Sequence, residues 1–397
     1  MTDGGDDSLG LDPTELVPLG TIVKEWTRLG CVGFGGPPTH ITLLRRMCVE
    51  QRRWMDAEDF EDAIAATNLL PGPASTQLAI FCAWRLRGAI GGILGGLCFI
   101  VPGLVLILAL SAFFLSGHPS TFALGAAAGA GAAVPAVALN AAWALIPASR
   151  TRMGSRRAQI IRWVLYALLG ATAAASLGPL LVVVLIGCGF CEVIIRSQGQ
   201  TPTIGQARSF LPVALVHTAT VGGLGALAWV ALKVGALSYG GGFVIVPLME
   251  HDAVSTYHWM SAPQFLNAVA LGQITPGPVV QTVAAVGYAA AGLGGGLFAA
   301  AIAFGPSFVF ILLGAPRFDQ IRANVKIQSF LTGAGPAVIG AIAGSAIPLG
   351  RSLEHFWQIP VLAAAVVALF VLKRGVVSVL LVCGAVGAFL ALVGVPA

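Results

Sequence analysis

Charge is scarce in this chain. Asp, Glu, Lys and Arg make up 10% of its 397 residues, against about 25% in an ordinary soluble domain. With 57% hydrophobic residues and a mean hydropathy of +0.87, a water-soluble globular domain is excluded. Apolar runs recur to the last residues, which predicts an integral membrane protein of many spans. The acidic stretch Met1 to Glu15 lacks a basic n-region, so no removable leader is expected. The seven cysteines are scattered, and the one close pair, Cys188 and Cys191, lies in an apolar run. A metal or redox site would need more ligands and accessible thiols. No His-Glu-x-x-His, no Ser-His-Asp constellation and no Walker loop occurs. Neither a hydrolase nor an ATP-driven pump is therefore expected, and no cofactor is called for. The net charge of +5 comes from basic residues beside apolar spans, which reads as topology rather than nucleic-acid binding.

What the chain does have is a repeated break in apolar sequence. Pro71-Gly72-Pro73 interrupts one hydrophobic stretch and Pro276-Gly277-Pro278 another. Each triplet removes two backbone donors and pushes the residue before each proline out of helical geometry. In hydrocarbon such a break is tolerated only where protein covers it or where it lines a wet cavity. Paired breaks at matching places are the sequence mark of a transporter's substrate site.

The places do match. At an offset of 205, Gly30 meets Gly235, Phe34-Gly35-Gly36 meets Tyr239-Gly240-Gly241, Trp54-Met55 meets Trp259-Met260, and Phe60 meets Phe265. Nine of the 20 positions from 54 to 73 are identical in this register. Gly91 with Gly296 and Phe99 with Phe304 extend it, and Ala130-Gly131 meets Ala334-Gly335 at an offset of 204. The basic group Arg45, Arg46, Arg52 and Arg53 has no Lys or Arg in its counterpart, Glu250 to Ser261. Conversely, Leu110 to Phe122 has none where its counterpart carries Arg317, Arg322 and Lys326. Basic loops mark the cytoplasmic side, so the halves lie in opposite orientations.

The expected layout is an all-α polytopic membrane protein of two inverted repeats with about 10–13 membrane segments. An acidic tail occupies 1–14, the first repeat 15–196, a cytoplasmic linker 197–210 and the second repeat 211–397. A first span is expected at about 15–37. The broken stretches, 57–83 and 263–291, are expected as re-entrant hairpins or discontinuous helices, entering from the cytoplasm and from outside respectively.

Phe34-Gly35-Gly36-Pro37 followed by Pro71-Gly72-Pro73, with partners in the second half, resembles the chromate ion transporter (CHR) family in its long two-domain form. The likeness runs from about Leu16 to Leu390, with Ser238-Tyr239-Gly240-Gly241-Gly242 as a variant glycine cluster. It implies a secondary active transporter in the bacterial inner membrane that exports chromate and confers resistance. Partners are then chromate or a sulfate-like dianion, protons or a counter-anion, and membrane lipid, with a homodimer allowed. Rival readings are a sulfate or other oxyanion permease, an anion channel, and a membrane-embedded enzyme. The last would need converging acid, base or metal ligands that the spans lack.

A tetrahedral dianion at mid-membrane needs donors and positive potential without excess fixed charge, and helix N-termini supply both. A helical segment opening after Pro73 would offer Ser75, Thr76 and Gln77, and one after Pro278 would offer Gln281 and Thr282. Asn68, Gln273 and Thr275 stand just before the breaks. These polar groups either line the anion path or repair the break by bonding its freed carbonyls. Gly72 and Gly277 at the breaks and the clusters Gly35-Gly36 and Gly240-Gly241 allow close backbone approach. Equivalent cations, Arg28 and Lys233, would add positive potential or snorkel to the interface. His40, just past the first cluster, is the best proton-carrying candidate.

Overall fold

Pro-Gly-Pro cannot continue a helix, and the chain is organised around that fact. The computed structural model describes residues 17–68, 70–115, 120–177, 180–197, 223–238, 243–315 and 323–396. Among them there are helices and no strands. The first repeat comprises α1 (Leu19–Val32), α2 (Pro37–Arg45, prolonged by a π turn, Arg46–Gln51), α3 (Ala57–Thr67), α4 (Ala74–Leu115), α5 (Thr121–Met153), α6 (Arg157–Thr172, with a π turn Ala173–Leu177) and α7 (Leu181–Ser197). The second comprises α8 (Leu224–Leu237), α9 (Ile245–Glu250, with a π turn His251–Thr256), α10 (Ala262–Ile274), α11 (Thr282–Gly314, entered through a 3₁₀ turn Val279–Gln281), α12 (Val325–Arg351), α13 (Gln358–Val366, with a π turn Val367–Val371) and α14 (Val376–Leu392). The tail 1–14, all of the linker but Ser197, and Gly240, Gly241, Arg317 and Arg322 lie outside the described residues.

The duplication is visible in the backbone. α1 and α8 begin and end at an offset of 205, as do the π turns after α2 and α9. Arg53 and His258 share a left-handed φ, 51° and 52°, and Gly72 and Gly277 have φ of 121° and 92°. Beyond the breaks the register drops to 204. α4 leaves helical geometry at Arg87 and Gly88, α11 at Ala291 and Gly292, and Pro102 and Pro306 are matched prolines inside the helices. The pairings of Gly91 with Gly296 and Phe99 with Phe304 are therefore each one residue out of step. One residue is missing from the segment after Pro278, where a 3₁₀ turn replaces the first turn of an α-helix.

At these kinks the helices fold back. A Cβ on Gly92 would lie 3.2 Å from Trp84 Cβ and 3.5 Å from Ile80 Cγ2, so the two arms of α4 run antiparallel. Arg85 meets Asp59 of α3 at 3.0 Å, which brings the outer end of α3 beside the outer end of the first arm. α3, the break and that arm thus form a hairpin with its tip at Pro71-Gly72-Pro73. The first expected span is shorter than 15–37 would give. α1 has 14 residues, roughly 21 Å against the 30 Å of a hydrocarbon core. The chain then turns at Gly33–Gly36 and comes back, so that Trp54 stacks on Trp26 at 6.2 Å and Arg52 pairs with Glu25.

Among the described residues five helices, α4, α5, α6, α11 and α12, are long and apolar enough to cross a membrane, and α8, α13 and α14 are shorter apolar helices. Small residues let the backbones approach. A Cβ on Gly387 of α14 would stand 2.8 Å from Gly129 Cα of α5, and one on Gly340 of α12 would stand 2.9 Å from Ala167 Cα of α6. The final helices are exchanged. The α6–α7 pair of the first repeat packs on α12 of the second, and α13–α14 of the second packs on α5 of the first. Further contacts between repeats run through α4 with α11, α5 with α12 and α5 with α10.

Candidate functional site

The repeats are symmetric in path but not in closure. α10 packs along α5, where a Cβ on Gly131 would lie 2.9 Å from Asn267 Oδ1. Its counterpart α3 does not pack on α12 in the same way, and a cavity of about 280 Å³ fills the gap. Its walls are the end of α3 (Thr67, Asn68), the first break (Leu70, Gly72, Ala74), the start of α2 (Pro37, Pro38, Ile41), α5 from Ala141 to Arg152, and α12 from Leu331 to Ile339. It runs from Ser149 and Arg152, at the basic end of α5, to the break. Glu192 of α7, fully buried, lies at that same end with Arg196 at 2.7 Å, Arg162 at 3.5 Å and the Tyr166 hydroxyl at 3.4 Å. Two guanidiniums on one carboxylate leave this end electropositive.

At the first break, Gln77 Nε2 donates to the Pro71 carbonyl at 2.7 Å. Thr76 and Gln77 turn their amides onto the Pro73 carbonyl at 2.9 and 3.0 Å. The amides of Ala74 and Ser75 are left at the mouth of the new helix, as its geometry requires. Thr76 is fully buried, and its hydroxyl has no hydrogen-bond partner among the described residues; the same holds for Gln77 Oε1, Ser238 Oγ and Ser307 Oγ. A Cβ on Gly72 would lie 3.3 Å from the Gly235 carbonyl and 3.4 Å from Ser307 Oγ. Elements of the second repeat therefore complete the surroundings of the first break.

The second break is closed over and bonded internally. Gln281 Nε2 donates to the Pro276 carbonyl at 2.8 Å and to Thr275 Oγ1 at 2.9 Å, and Thr282 Oγ1 donates to the Val279 carbonyl at 2.8 Å. The Gly277 amide donates to the Gly33 carbonyl at 2.9 Å. Gly103 offers no side chain here, so the Pro276 carbonyl and Gln281 close against it. Gln273 is buried with its Nε2 unpartnered among the described residues.

Of the residues singled out in the sequence, the structure places Asn68 and Gly72 on the cavity wall and Ser75, Thr76 and Gln77 just behind it. Gln273, Thr275, Gly277, Gln281 and Thr282 are buried at the second break, away from this cavity. Gly36 lies against Val279, its Cβ position 3.6 Å from Val279 Cγ2, and Gly35 is exposed. The first glycine cluster thus serves the second break. Arg28 has a 71% exposed side chain and sits 3.9 Å from Glu25. Lys233 is mostly buried, paired with Asp252 and 5.9 Å from the Trp229 ring centre. The two cations are equivalent in sequence and unlike in setting. The sequence reading missed Ser307 and the mouth residues Ser149, Arg152 and Thr332. Ser307 is the match of Gly103 in the 204 register, and that register would have revealed it.

The chromate transporter family matches this chain twice, over residues 20–193 and 225–388. The chain is 32% identical over 386 residues to a chromate transport protein of Cupriavidus metallidurans, covering 95% of this chain and 94% of the relative. It is 30% identical over 359 residues to a probable chromate transport protein of Synechococcus elongatus, covering 88% and 89%. A chromate transport protein of Pseudomonas aeruginosa is 28% identical over 358 residues, covering 85% and 83%. No solved structure matches. The double match falls on the two halves that share the break, the kink and the π turn, and the relatives are aligned end to end rather than over one repeat. This multi-pass membrane protein belongs to the chromate transporter family.

Proposed function

We propose that the chain is a secondary active transporter that carries chromate out of the bacterial cytoplasm and so confers resistance. The observation that carries this reading is the cavity leading from the arginine-rich end to the first break. Basic ends face the cytoplasm, so an anion would load from inside. There it meets the Ala74 and Ser75 amides and the positive end of the α4 dipole. Asn68 is a further donor on the cavity wall, which carries no fixed negative charge. The hairpin form of the broken segments, re-entrant from opposite faces, is part of the same reading.

Inside-out vesicles carrying the protein are expected to take up chromate saturably, with sulfate as a competitor. No saturable chromate uptake under any imposed proton or anion gradient defeats the proposal. Equal affinity for sulfate makes the protein a general oxyanion permease, since two tetrahedral dianions of similar size meet the same donors. Conductance far above carrier turnover makes it a channel.

A further inference from the structure

His40 is 1% exposed, yet both of its ring nitrogens are engaged. Nε2 lies 2.9 Å from the Gly33 carbonyl and Nδ1 lies 3.2 Å from Ser75 Oγ. The same Gly33 carbonyl accepts the Gly277 amide at 2.9 Å. One chain of hydrogen bonds therefore links the second break, the glycine turn, His40 and the first turn after the first break. The cavity wall flanks it, with Pro38 and Ile41 on one side and Ala74 on the other. Among the described residues the second repeat has no such chain. Ile245 stands where His40 does, and Ser75 falls on Val279 or Val280 in either register. The device cannot be a general repair of the fold.

We propose that His40 is the proton-binding group that couples proton movement to anion movement, acting on the anion through the Ser75 hydroxyl. The inference rests on the first break being the anion site. A carbonyl only accepts, so Gly33 assigns the proton of the neutral ring to Nε2, and Nδ1 must accept from the Ser75 O–H. A proton added at Nδ1 makes the ring a donor on both sides. Ser75 Oγ must then accept, and its own hydrogen turns away from His40 and is free to donate to the anion, alongside the Ala74 and Ser75 amides. Protonation thus adds one donor and one positive charge beside the dianion. By linkage the bound dianion favours the proton to the same degree.

The other charged and titratable groups on the packed elements are already committed or lie along other stretches of their helices. α1 carries Lys24, Glu25, Arg28 and Cys31, and its carboxylate is held by Arg28 and Arg52. On α2 and its π turn stand Arg45, Arg46, Cys48 and Glu50, with Arg45 paired to Glu61. α4 carries Cys82, Arg85, Arg87 and Cys98, with Arg85 on Asp59. The ring's nearest aromatic neighbour is Phe99, edge-on at 5.1 Å.

The test uses the full chain in proteoliposomes, with chromate as the probe and a pH dye inside. Wild type is expected to carry protons with chromate, and its KM for chromate to rise roughly tenfold from the acid side of the proton-binding transition to the alkaline side. His40→Gln keeps a donor for Gly33 and an acceptor for Ser75 but binds no proton. It is expected to lose the proton flux and flatten the KM profile. Chromate's own protonation acts equally on both proteins and is cancelled by the comparison. Ser75→Ala keeps the imidazole and should also flatten the profile, which carries the test if His40→Gln is not recovered folded. A His40→Gln protein with slower uptake but an unchanged proton-to-chromate ratio overturns the proposal. So does wild-type uptake without proton flux. Wild type that moves no chromate at all overturns the transport reading itself, and the coupling with it.

Discussion

At the scale of single residues, the breaks are held by a small number of side chains whose loss should be measurable. Gly72 has φ 121°, and a Cβ there would lie 2.5 Å from Gln77 Nε2, an atom already fixed on the Pro71 carbonyl. Gly277 has φ 92°, but the nearest atom to a Cβ there, Gln281 Oε1, would be 3.4 Å away. Both alanine variants meet the left-handed penalty of about 1–2 kcal/mol. Gly72→Ala also displaces the glutamine cap and is expected to abolish chromate uptake while the protein stays in the membrane. Gly277→Ala is expected to be milder. Normal uptake by Gly72→Ala would show the anion site to be elsewhere. The caps can be tested by melting in detergent. Gln77→Leu leaves the Pro71 carbonyl unpaired, a cost of about 1–3 kcal/mol, and should lower the melting temperature. Sequence alone could not decide whether these polar residues line a path or repair the backbone. In the structure Gln77 and Gln281 do the repair, and Asn68 faces the cavity. That division depends on which hydrogen bond each side chain makes, and no sequence pattern carries it.

At the scale of elements, the helices, their breaks and their duplication were legible because prolines, glycines and charges act locally. The matched π turns were not, since nothing in Arg46–Gln51 or His251–Thr256 distinguishes a π turn from an α-helix. Nor was the reversal after α1, because a stretch of 14 residues and a glycine turn reads equally well as a weak span. The exchange of terminal helices was also hidden, since glycine spacing does not name its partner. That exchange rests on glycine contacts. A side chain on Gly129 of α5 would strike the backbone of Cys383 and Gly387 on α14, whereas Gly305 of α11 has nothing within 4 Å. Gly129→Leu is expected to yield no monodisperse protein by size-exclusion chromatography, and Gly305→Leu to elute as wild type. Equal behaviour of the two variants would remove this interface as a determinant of assembly. The Asp59–Arg85 pair joining α3 to α4 is about half exposed, so Asp59→Asn should cost less than about 1 kcal/mol.

At the scale of the molecule, the inverted repeat and the unequal closure together specify a second state. In the structure α10 rests on α5, and α3 stands off α12 over the cavity. Exchanging the roles of the repeats gives a form in which α3 closes on α12 and α10 leaves α5, opening a path on the opposite face. The proposed transport cycle alternates between the two. A Cβ on Gly131 would lie 3.5 Å from Leu266 Cβ, at the near edge of the separation of about 3.5–4.5 Å that a disulfide needs. A chain with Gly131→Cys and Leu266→Cys is therefore expected to cross-link on oxidation and to be held with its cavity open at the basic end. Chromate uptake should stop on oxidation and return on reduction, while each single variant transports throughout. Chromate should still bind the cross-linked chain from the basic side, because the locked contact leaves the first break accessible. Full uptake by the cross-linked chain would mean that α10 does not leave α5, and the anion would then need a fixed pore through the first break rather than an exchange of closures.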